Sequence, residues 1–474
     1  MSTMPAPMPA PQLEIGGGGR GHFLARISLG IPQAHNPMLP FEPRRTATAI
    51  GPHAIVDIFD THIRGRLIQE CAAIDWSHIS VVRLGYPGQA PSERPATIVV
   101  AVRPNTLDSD GATRILRSVG EWIYVLPQLH DVAIEVVKAG VAPGITPSAK
   151  VKAGVPSADH VTVKIDGKVP GLGCRFEKAF RNVPALGAGL GPQDSAVAGT
   201  LGGYLSISTA DTVEYMALTC HHVLSGQISN IERDQLIHNG YSLHLHQERS
   251  SILARFLNRL GTVYCTSGTG TVGGWILDWG LAKLMTGRFS FTDINNSKYS
   301  LEVAPDKHFL YNEVTFLSCP GMPGEMVTPG EVMRGENHTV FKCGRTTGST
   351  VGELNTIDSS VQMRYDFDDG SYEVVKGRAL LVVSPSAHYL PCRIAIPFGS
   401  HGDSGSLVFD HQGRVLGLYI GRQTEDYEYN APSIDGIYFI SPIHPTLDAI
   451  QDAIAKDPAL QGQDIKVDFV WGPI

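Results

Sequence analysis

The chain has 474 residues, a formal net charge of −8, 42% hydrophobic residues and 18% charged residues. This composition is enough for a packed core and excludes a disordered chain, and without a basic excess it argues against nucleic acid or membranes as partners. The 51 glycines and 32 prolines exceed their usual combined share of about 12%, which favours many turns between short strands.

Residues 1–45 are rich in proline, methionine and glycine, and lack the basic and apolar regions of a secretory signal. We therefore predict a disordered arm. The seven cysteines are scattered and form no C-x-x-C pair, which argues against a disulfide framework and against a zinc site. We expect no metal and no cofactor, and the simplest compartment is the reducing cytoplasm.

Residues 46–145 are predicted to form an accessory domain of α/β or α+β type. The run 96–102 is typical of a buried strand, and Asp108 or Ser109 then caps a helix whose apolar residues recur with helical spacing. Another strand follows at 132–137. We find no phosphate loop and no paired catalytic groups in this domain, which leaves open a regulatory ligand or partner.

Residues 146–198 contain a Gly/Pro-rich stretch and are interpreted as a linker leading into the next domain. From 199 to 458, short β-rich runs alternate with glycine and asparagine turns, a pattern typical of a sandwich or barrel. The length suits two small antiparallel barrels. A final helix is predicted from Pro445, with Leu447, Ile450 and Ile454 on its buried face, and 459–474 form a C-terminal tail.

Three motifs in this β-rich half carry residues suited to nucleophilic catalysis. They contain His221-His222 at 218–223, Asp278 at 275–284 and Ser404 at 402–409. A serine nucleophile needs a neutral imidazole to take its proton and a buried carboxylate to orient that imidazole. Backbone N–H groups must also receive the oxyanion, and a glycine two places before the serine helps them converge.

These residues resemble the chymotrypsin-like, trypsin-type serine peptidases in their intracellular form without disulfides. The order His, Asp, Ser is that family's order, and the resemblance covers about half of the chain. It implies two antiparallel barrels, with His222 as general base, Asp278 as its orienter and Ser404 as nucleophile. The backbone amides of Gly402 and Ser404 would form the oxyanion hole. The family's Thr-x-x-His pattern selects His222 over His221.

The resemblance has departures that bear on activation and specificity. No Ile-Val-Gly-Gly processing site is present, so Asp403, which precedes the nucleophile, needs a partner other than a freed N-terminus. The substrate pocket is predicted from four residues: Phe398, Tyr419, Ile420 and Gly421. The aromatic residue at the base of this pocket favours an apolar or small side chain over lysine or arginine.

The sequence thus predicts a cytoplasmic serine endopeptidase that hydrolyses protein or peptide substrates through an acyl-enzyme. Two alternatives stay open. One is a catalytically silent peptidase fold that binds a peptide or partner, and the other is an autoprocessing peptidase that acts only on its own chain near 184–198. Cys220, next to the histidines, is interpreted as a buried structural thiol.

Overall fold

A computed structural model describes part of the chain. The described residues are 11–15, 23–28, 45–86, 89–143, 186–187, 189–192, 199–225, 244–246, 259–284, 326–327, 339–366, 371–384, 397–424 and 434–470. Within these ranges, no helix combines the length and the apolar character that crossing a membrane requires. Most of the predicted 146–198 linker lies outside the described residues.

Strands dominate the described part of the chain. The strands are β1 Gln12–Ile15, β2 Phe23–Ser28, β3 Arg45–Thr48, β4 Trp76–Gly85, β5 Ala96–Val102, β6 Ala133–Lys138, β7 Gly140–Pro143, β8 Gly189–Pro192, β9 Gly199–Thr200, β10 Gly203–Ser208, β11 Val213–Thr219, β12 His244–His246, β13 Arg259–Thr266, β14 Gly270–Val272, β15 Trp275–Leu277, β16 Gly280–Leu284, β17 Thr339–Gly344, β18 Gly348–Leu354, β19 Ser359–Asp366, β20 Tyr372–Val383, β21 Leu407–Asp410, β22 Val415–Thr424, β23 Ile434–Asp435, β24 Ile437–Pro442 and β25 Lys466–Phe469. The α-helices are α1 Ala54–Ile58, α2 Arg64–Glu70, α3 Ser109–Ile123, α4 His221–Ser225 and α5 Ile443–Ile454. A π-helical turn, Phe59–Ile63, joins α1 to α2, and 3-10 turns lie at Pro91–Glu93 and Pro127–Leu129.

The prediction of a disordered arm over residues 1–45 is wrong for two segments. β1 pairs with β2, and β2 pairs antiparallel with β6, so both strands belong to a sheet. Leu24, Ala25 and Ile27 of β2 are buried. The composition hid these strands because each is short and takes its order from the partner strand's backbone rather than from its own pattern.

The N-terminal sheet contains the predicted strand–helix–strand unit, with β5 parallel to β6 and antiparallel to β4. Helix α3 begins after Asp108, whose side chain accepts the N–H of Gly111 at 2.7 Å. Its buried face includes Leu116 and Val119, as the helical spacing predicts.

Every residue of β5 is buried, because the sheet has neighbours on both faces. Ile98, Val100 and Val102 pack in one hydrophobic cluster with α1–α3. Val99 and Ala101 point to the opposite face and pack in the cluster of the β-rich half. The N-terminal sheet is therefore sandwiched between its helices and the rest of the molecule.

The β-rich half contains two antiparallel arrangements. One is an eight-stranded sheet in the order β25-β10-β11-β16-β13-β12-β8-β9. In the other, six strands close on themselves through successive antiparallel pairings: β17–β18, β18–β20, β20–β24, β24–β22, β22–β21 and β21–β17. The described part of the chain is thus mostly β-sheet, with the predicted terminal helix, α5, beginning two residues before Pro445.

Buried polar contacts join the N-terminal sheet to the β-rich half. β4 pairs with β19 at Ile79 and Ser360. The side chain of Asn355 accepts the N–H of Ile50 at 2.8 Å and donates to the carbonyl of Val81 at 2.9 Å. Because one buried amide serves both parts, separating them would leave its donors and acceptors unpaired.

A buried carboxylate network within the N-terminal sheet predicts sensitivity to acid. Glu135 on β6 binds Arg26 at 2.9 Å and Arg45 at 2.6 Å. Burial works to raise the pKa of Glu135, but the two guanidinium groups and their hydrogen bonds outweigh it and lower the pKa to about 2. The stabilisation is therefore complete above pH 4.5, the carboxyl group's ordinary pKa, and is lost as the pH falls towards 2.

We expect wild type to lose about 3 kcal/mol of unfolding free energy through this group between pH 6 and pH 2. Glu135→Gln should be less stable by about 3–5 kcal/mol at pH 7, since it removes the carboxylate that two buried cations share, and should lose less on acidification. Urea unfolding at several pH values measures both effects. Glu121→Gln, an exposed change on α3, is the matched control, and equal pH slopes for the two variants would contradict the prediction.

Candidate active site

His222 lies at the carboxyl end of β11, where the strand gives way to the one-turn helix α4. The last four residues of β11 are buried, and Thr219 Oγ1 donates to the carbonyl of Thr200 at 2.7 Å. The imidazole of His222 is itself only 2% exposed. The backbone that leads to His222 is therefore held in place inside the protein.

Asp278 lies between β15 and β16, and the strand register brings it to His222. β16 pairs with β11 so that Gly280 faces Thr219. The carboxylate of Asp278 is fully buried. Its Oδ1 accepts the backbone N–H of His222 at 3.1 Å, and its Oδ2 is hydrogen-bonded to Nδ1 of the same residue. Two contacts therefore hold the histidine in one orientation.

The electrostatics of this pair keep the carboxylate ionised. Burial works to raise the pKa of Asp278, but the charge and hydrogen bonds of His222, together with the charge of His221, outweigh it and lower the pKa. An ionised carboxylate on Nδ1 favours the tautomer with its proton on that nitrogen. Nε2 of His222 is then left as a proton acceptor.

Ser404 lies in a loop that packs against the end of β11. Gly405 has φ +91°, and a Cβ there would lie 2.2 Å from Thr219 Oγ1 and 3.1 Å from the backbone nitrogen of Cys220. Only glycine permits this approach. The carbonyl of Ser404 also accepts the N–H of Thr200 at 2.7 Å. The segments that carry His222 and Ser404 are therefore in direct contact.

Two buried polar atoms stay unpaired at this contact. Within the described residues, neither Nε2 of His222 nor Oγ of Ser404 has a hydrogen-bond partner. Buried polar side-chain atoms are paired in most proteins, so two orphans on adjoining segments need an explanation. A nucleophile and base that complete their hydrogen bond when substrate arrives would leave both atoms in this state.

Backbone donors beside Ser404 are also free. The N–H groups of Asp403, Gly405 and Ser406 donate to carbonyls, whereas in the described part of the chain those of Gly402 and Ser404 donate to no acceptor. Gly402 has φ +90°, which turns the loop sharply at this point. The residues predicted for the oxyanion hole therefore have available amides.

Asp403 has the partner that the sequence left unassigned. Its Oδ2 accepts from Lys342 Nζ on β17 at 3.0 Å, and both side chains are fully buried. The carboxylate also accepts from the backbone of Thr346 and Ser400 and from Thr347 Oγ1, at 2.8, 2.9 and 2.7 Å. An internal lysine thus provides the positive charge next to the loop of Ser404.

The four residues predicted for the substrate pocket lie around β22 and the loop before Ser404. All four are buried: Phe398, Tyr419, Ile420 and Gly421. The rings of Phe398 and Tyr419 lie 6.4 Å apart between centroids, and both contact the ring of Tyr438, at 5.6 and 6.4 Å. A Cβ on Gly399 would lie 2.6 Å from the Tyr419 ring. These rings form an aromatic cluster beside the loop.

Cys220, two residues before His222, has a hydrogen-bond partner of its own. Cys220 Sγ donates to the carbonyl of Tyr419 at 3.4 Å. Burial, then the charge of Asp278, raises the pKa of this thiol well above its ordinary value. Although one ligand atom each of Cys220, His222 and Asp278 lie within 4.8 Å of one another, the thiol stays protonated and the other two groups bind each other. These residues fit a hydrogen-bonded pair better than a metal centre.

Lys342 and Thr200 are site residues that the motif analysis missed. Lys342 carried a detectable signal, because a lysine between Phe341 and Cys343 in an apolar run is unusual in a buried strand. Thr200 carried none. Its Oγ1 donates to the carbonyl of Gly402 at 2.9 Å and accepts the N–H of Arg345 at 3.0 Å, contacts that arise only when distant segments meet.

Comparison with solved structures gives neighbours, among them one of low similarity. No family model matches the chain, and no curated protein matches it. Among solved structures, the chain is similar to a glutamic-acid-specific serine protease described as using a histidine triad in substrate binding. That match has 13% sequence identity and a TM-score of 0.30, and it covers 56% of this chain and 97% of the other.

Proposed function

We propose that this protein is a serine endopeptidase in which His222, Asp278 and Ser404 form the catalytic triad. One observation carries the proposal. Asp278 binds Nδ1 of His222, while Nε2 of His222 and Oγ of Ser404 stay buried and unpaired on segments that touch. Retaining these costly groups has a chemical reason if they act on a substrate carbonyl.

The proposed reaction follows from these contacts. Ser404 Oγ attacks a peptide carbonyl as His222 Nε2 takes its proton, and Asp278 stabilises the resulting imidazolium. The amides of Gly402 and Ser404 bind the oxyanion. His222 then protonates the departing amine, and a water molecule, deprotonated by His222, hydrolyses the acyl-enzyme. No cofactor is required.

The proposed fold is the two-barrel arrangement of chymotrypsin-like peptidases. The six strands β17, β18, β20–β22 and β24 would form one barrel, which carries Ser404 in the loop before β21. The sheet containing β11 and β16 would form the other, which carries His222 and Asp278. The triad would then assemble where the barrels meet, which explains why its members are far apart in the chain.

The substrate is proposed to be a protein or peptide with a small side chain at the position of cleavage. The rings of Phe398 and Tyr419, predicted for the substrate pocket, pack against each other and against that of Tyr438. Such packing favours a small side chain over a long one, and none of the three rings offers a carboxylate to lysine or arginine. The same packing favours the silent binding protein as second candidate.

Labelling with a small alkyl fluorophosphonate tests the proposed function. We expect wild type to react covalently at Ser404 and the variants Ser404→Ala and His222→Ala to lose labelling, because the hydroxyl or its base is missing. His221→Ala is the matched control and should keep labelling. Mass spectrometry locates the adduct, and circular dichroism confirms that each variant is folded. A folded wild-type protein that does not react would favour the silent binding protein.

A further inference from the structure

Strand β22 leads away from the nucleophile loop with neighbours on both edges. Tyr419 exchanges backbone hydrogen bonds with this loop, accepting from Gly405 and donating to Ser406, both at 2.9 Å. Beyond it, Gly421 and Arg422 pair with β24 on one edge. On the other edge, residues 421–424 pair antiparallel with β7. Without β7, this edge would present free backbone groups.

The edge that β7 covers is suited to a peptide substrate. A peptide that presents a carbonyl to Ser404 must be held extended, and pairing with an exposed strand is the general way to hold an extended backbone. β22 runs directly from Tyr419 beside the loop, so its edge is the one within reach. β7 occupies that edge.

The direction of β7 is also that of a substrate. Gly140 faces Thr424 and Pro143 faces Gly421, so the carboxyl end of β7 points along β22 towards Tyr419 and the loop of Ser404. The acyl side of a peptide substrate must run the same way, since the carbonyl under attack follows its paired residues. A strand that only closed the sheet could equally run in the opposite direction.

We propose that Gly140–Pro143 is an autoinhibitory segment, which occupies in cis the groove that binds the acyl side of peptide substrates. This inference rests on the proposed function. The segment would exclude peptides, whereas a small reagent need not pair with β22 to react with Ser404. Proline has no N–H to donate, so Pro143, at the end of β7 that points towards Ser404, adds no backbone donor to the pairing, and a substrate can begin displacement there.

The N-terminal sheet holds this segment in place. Ala139, just before β7, donates its N–H to Val102 at 2.9 Å and accepts from Ser77 Oγ at 2.7 Å. On β22, Gln423 binds His78 Nε2 at 2.9 Å, and burial lowers the pKa of His78 to about 4. The contact therefore does not depend on pH near neutrality. Tethering gives the segment a high effective concentration, so it competes well even if its pairing is weak.

Two probes separate a covered groove from an unassembled triad. One is the alkyl fluorophosphonate, which reports on Ser404 alone. The other is a peptidyl phosphonate carrying Val-Ala-Pro-Gly, the sequence that begins at Val141, which reacts only after pairing with β22. Inactivation rates are measured for wild type and for the variants Val141→Pro and Ala142→Pro. Hydrogen bonds alternate along an antiparallel pair, so one proline removes a bond to β22 and the other serves as its control.

One proline variant is expected to react about tenfold faster than wild type with the peptidyl phosphonate, at an unchanged fluorophosphonate rate. Equal peptidyl rates in all three proteins would overturn the inference while leaving the proposed function intact. Failure of both probes everywhere would overturn both.

Hydrogen exchange on wild type provides a measurement that needs no variant. After inactivation by the peptidyl phosphonate, the amides of 140–142 should exchange faster, because the probe has displaced them. Those of 133–138 should stay protected. Unchanged protection of 140–142 in the labelled protein would show that β7 is a structural edge strand and would overturn the inference.

Discussion

Asp278→Asn should lower the rate of peptide hydrolysis about 10⁴-fold while the protein stays folded, as the equivalent change does in serine peptidases with a Ser-His-Asp triad. Asparagine has nearly the same shape, so the backbone contact to His222 can survive. It carries no charge to stabilise the imidazolium, and its amide group can donate to Nδ1 and so favour the wrong tautomer. The proton would then sit on Nε2, which could no longer accept one from Ser404.

Steady-state hydrolysis of a peptide with small side chains measures this effect. The parent protein is the proline variant in which the pairing of β7 with β22 is weakened. Asp410→Asn makes the same chemical change at the end of β21, where Asp410 accepts the N–H groups of Gln412 and Arg414 at 2.9 and 2.8 Å. Its rate should stay within about twofold of the parent, as a change outside the site should not alter transition-state binding. A loss in Asp278→Asn no larger than that in Asp410→Asn would remove Asp278 from the proposed triad.

Lys342→Met should destabilise the protein by about 3–5 kcal/mol, since it leaves the carboxylate of Asp403 buried without a cation. It should also lower fluorophosphonate labelling of the folded protein about 10²- to 10³-fold. Asp403 lies between the two residues whose amides form the proposed oxyanion hole. If its carboxylate turns away to reach water, those amides turn with it. Lys342 therefore acts through Asp403, as a positioning residue.

Denaturant unfolding and labelling rates should be measured together with the double variant Lys342→Met, Asp403→Asn. Removing both charges should restore most of the lost stability, because no unpaired ion is left inside. Lys283→Met is the control, since Lys283 forms a half-exposed pair with Glu214 and should cost less than about 1 kcal/mol. A double variant no more stable than Lys342→Met would show that the buried pair is not the cause.

The internal lysine has a consequence for activation. In the trypsin-type peptidases that the three motifs resemble, the aspartate before the nucleophile pairs with an N-terminus freed by cleavage. Here Lys342 reaches Asp403 from within the uncut chain, so the proposed oxyanion loop is supported from the start. Control would instead act on access to the groove, where β7 lies on β22.

The sequence alone predicted the features that depend on local patterns. Helix α3 follows from its cap at Asp108 and its apolar spacing, and β5 follows from an unbroken apolar run. The three residues of the proposed triad could be put forward because each stands in a short motif whose residue types suggest its chemistry. Local signals of this kind are strong since helical capping, period and turn chemistry act over a few residues.

Only the tertiary structure decided which groups meet across long separations. Lys342 binds Asp403, which lies 61 residues away. β7 pairs with the edge of β22 although about 280 residues separate them in the chain. Of the two short strands before residue 45, β2 pairs with β6, and β1 pairs with β2. Backbone pairing and burial of charge depend on the partner rather than on the residue itself, so these contacts leave little trace in the local sequence.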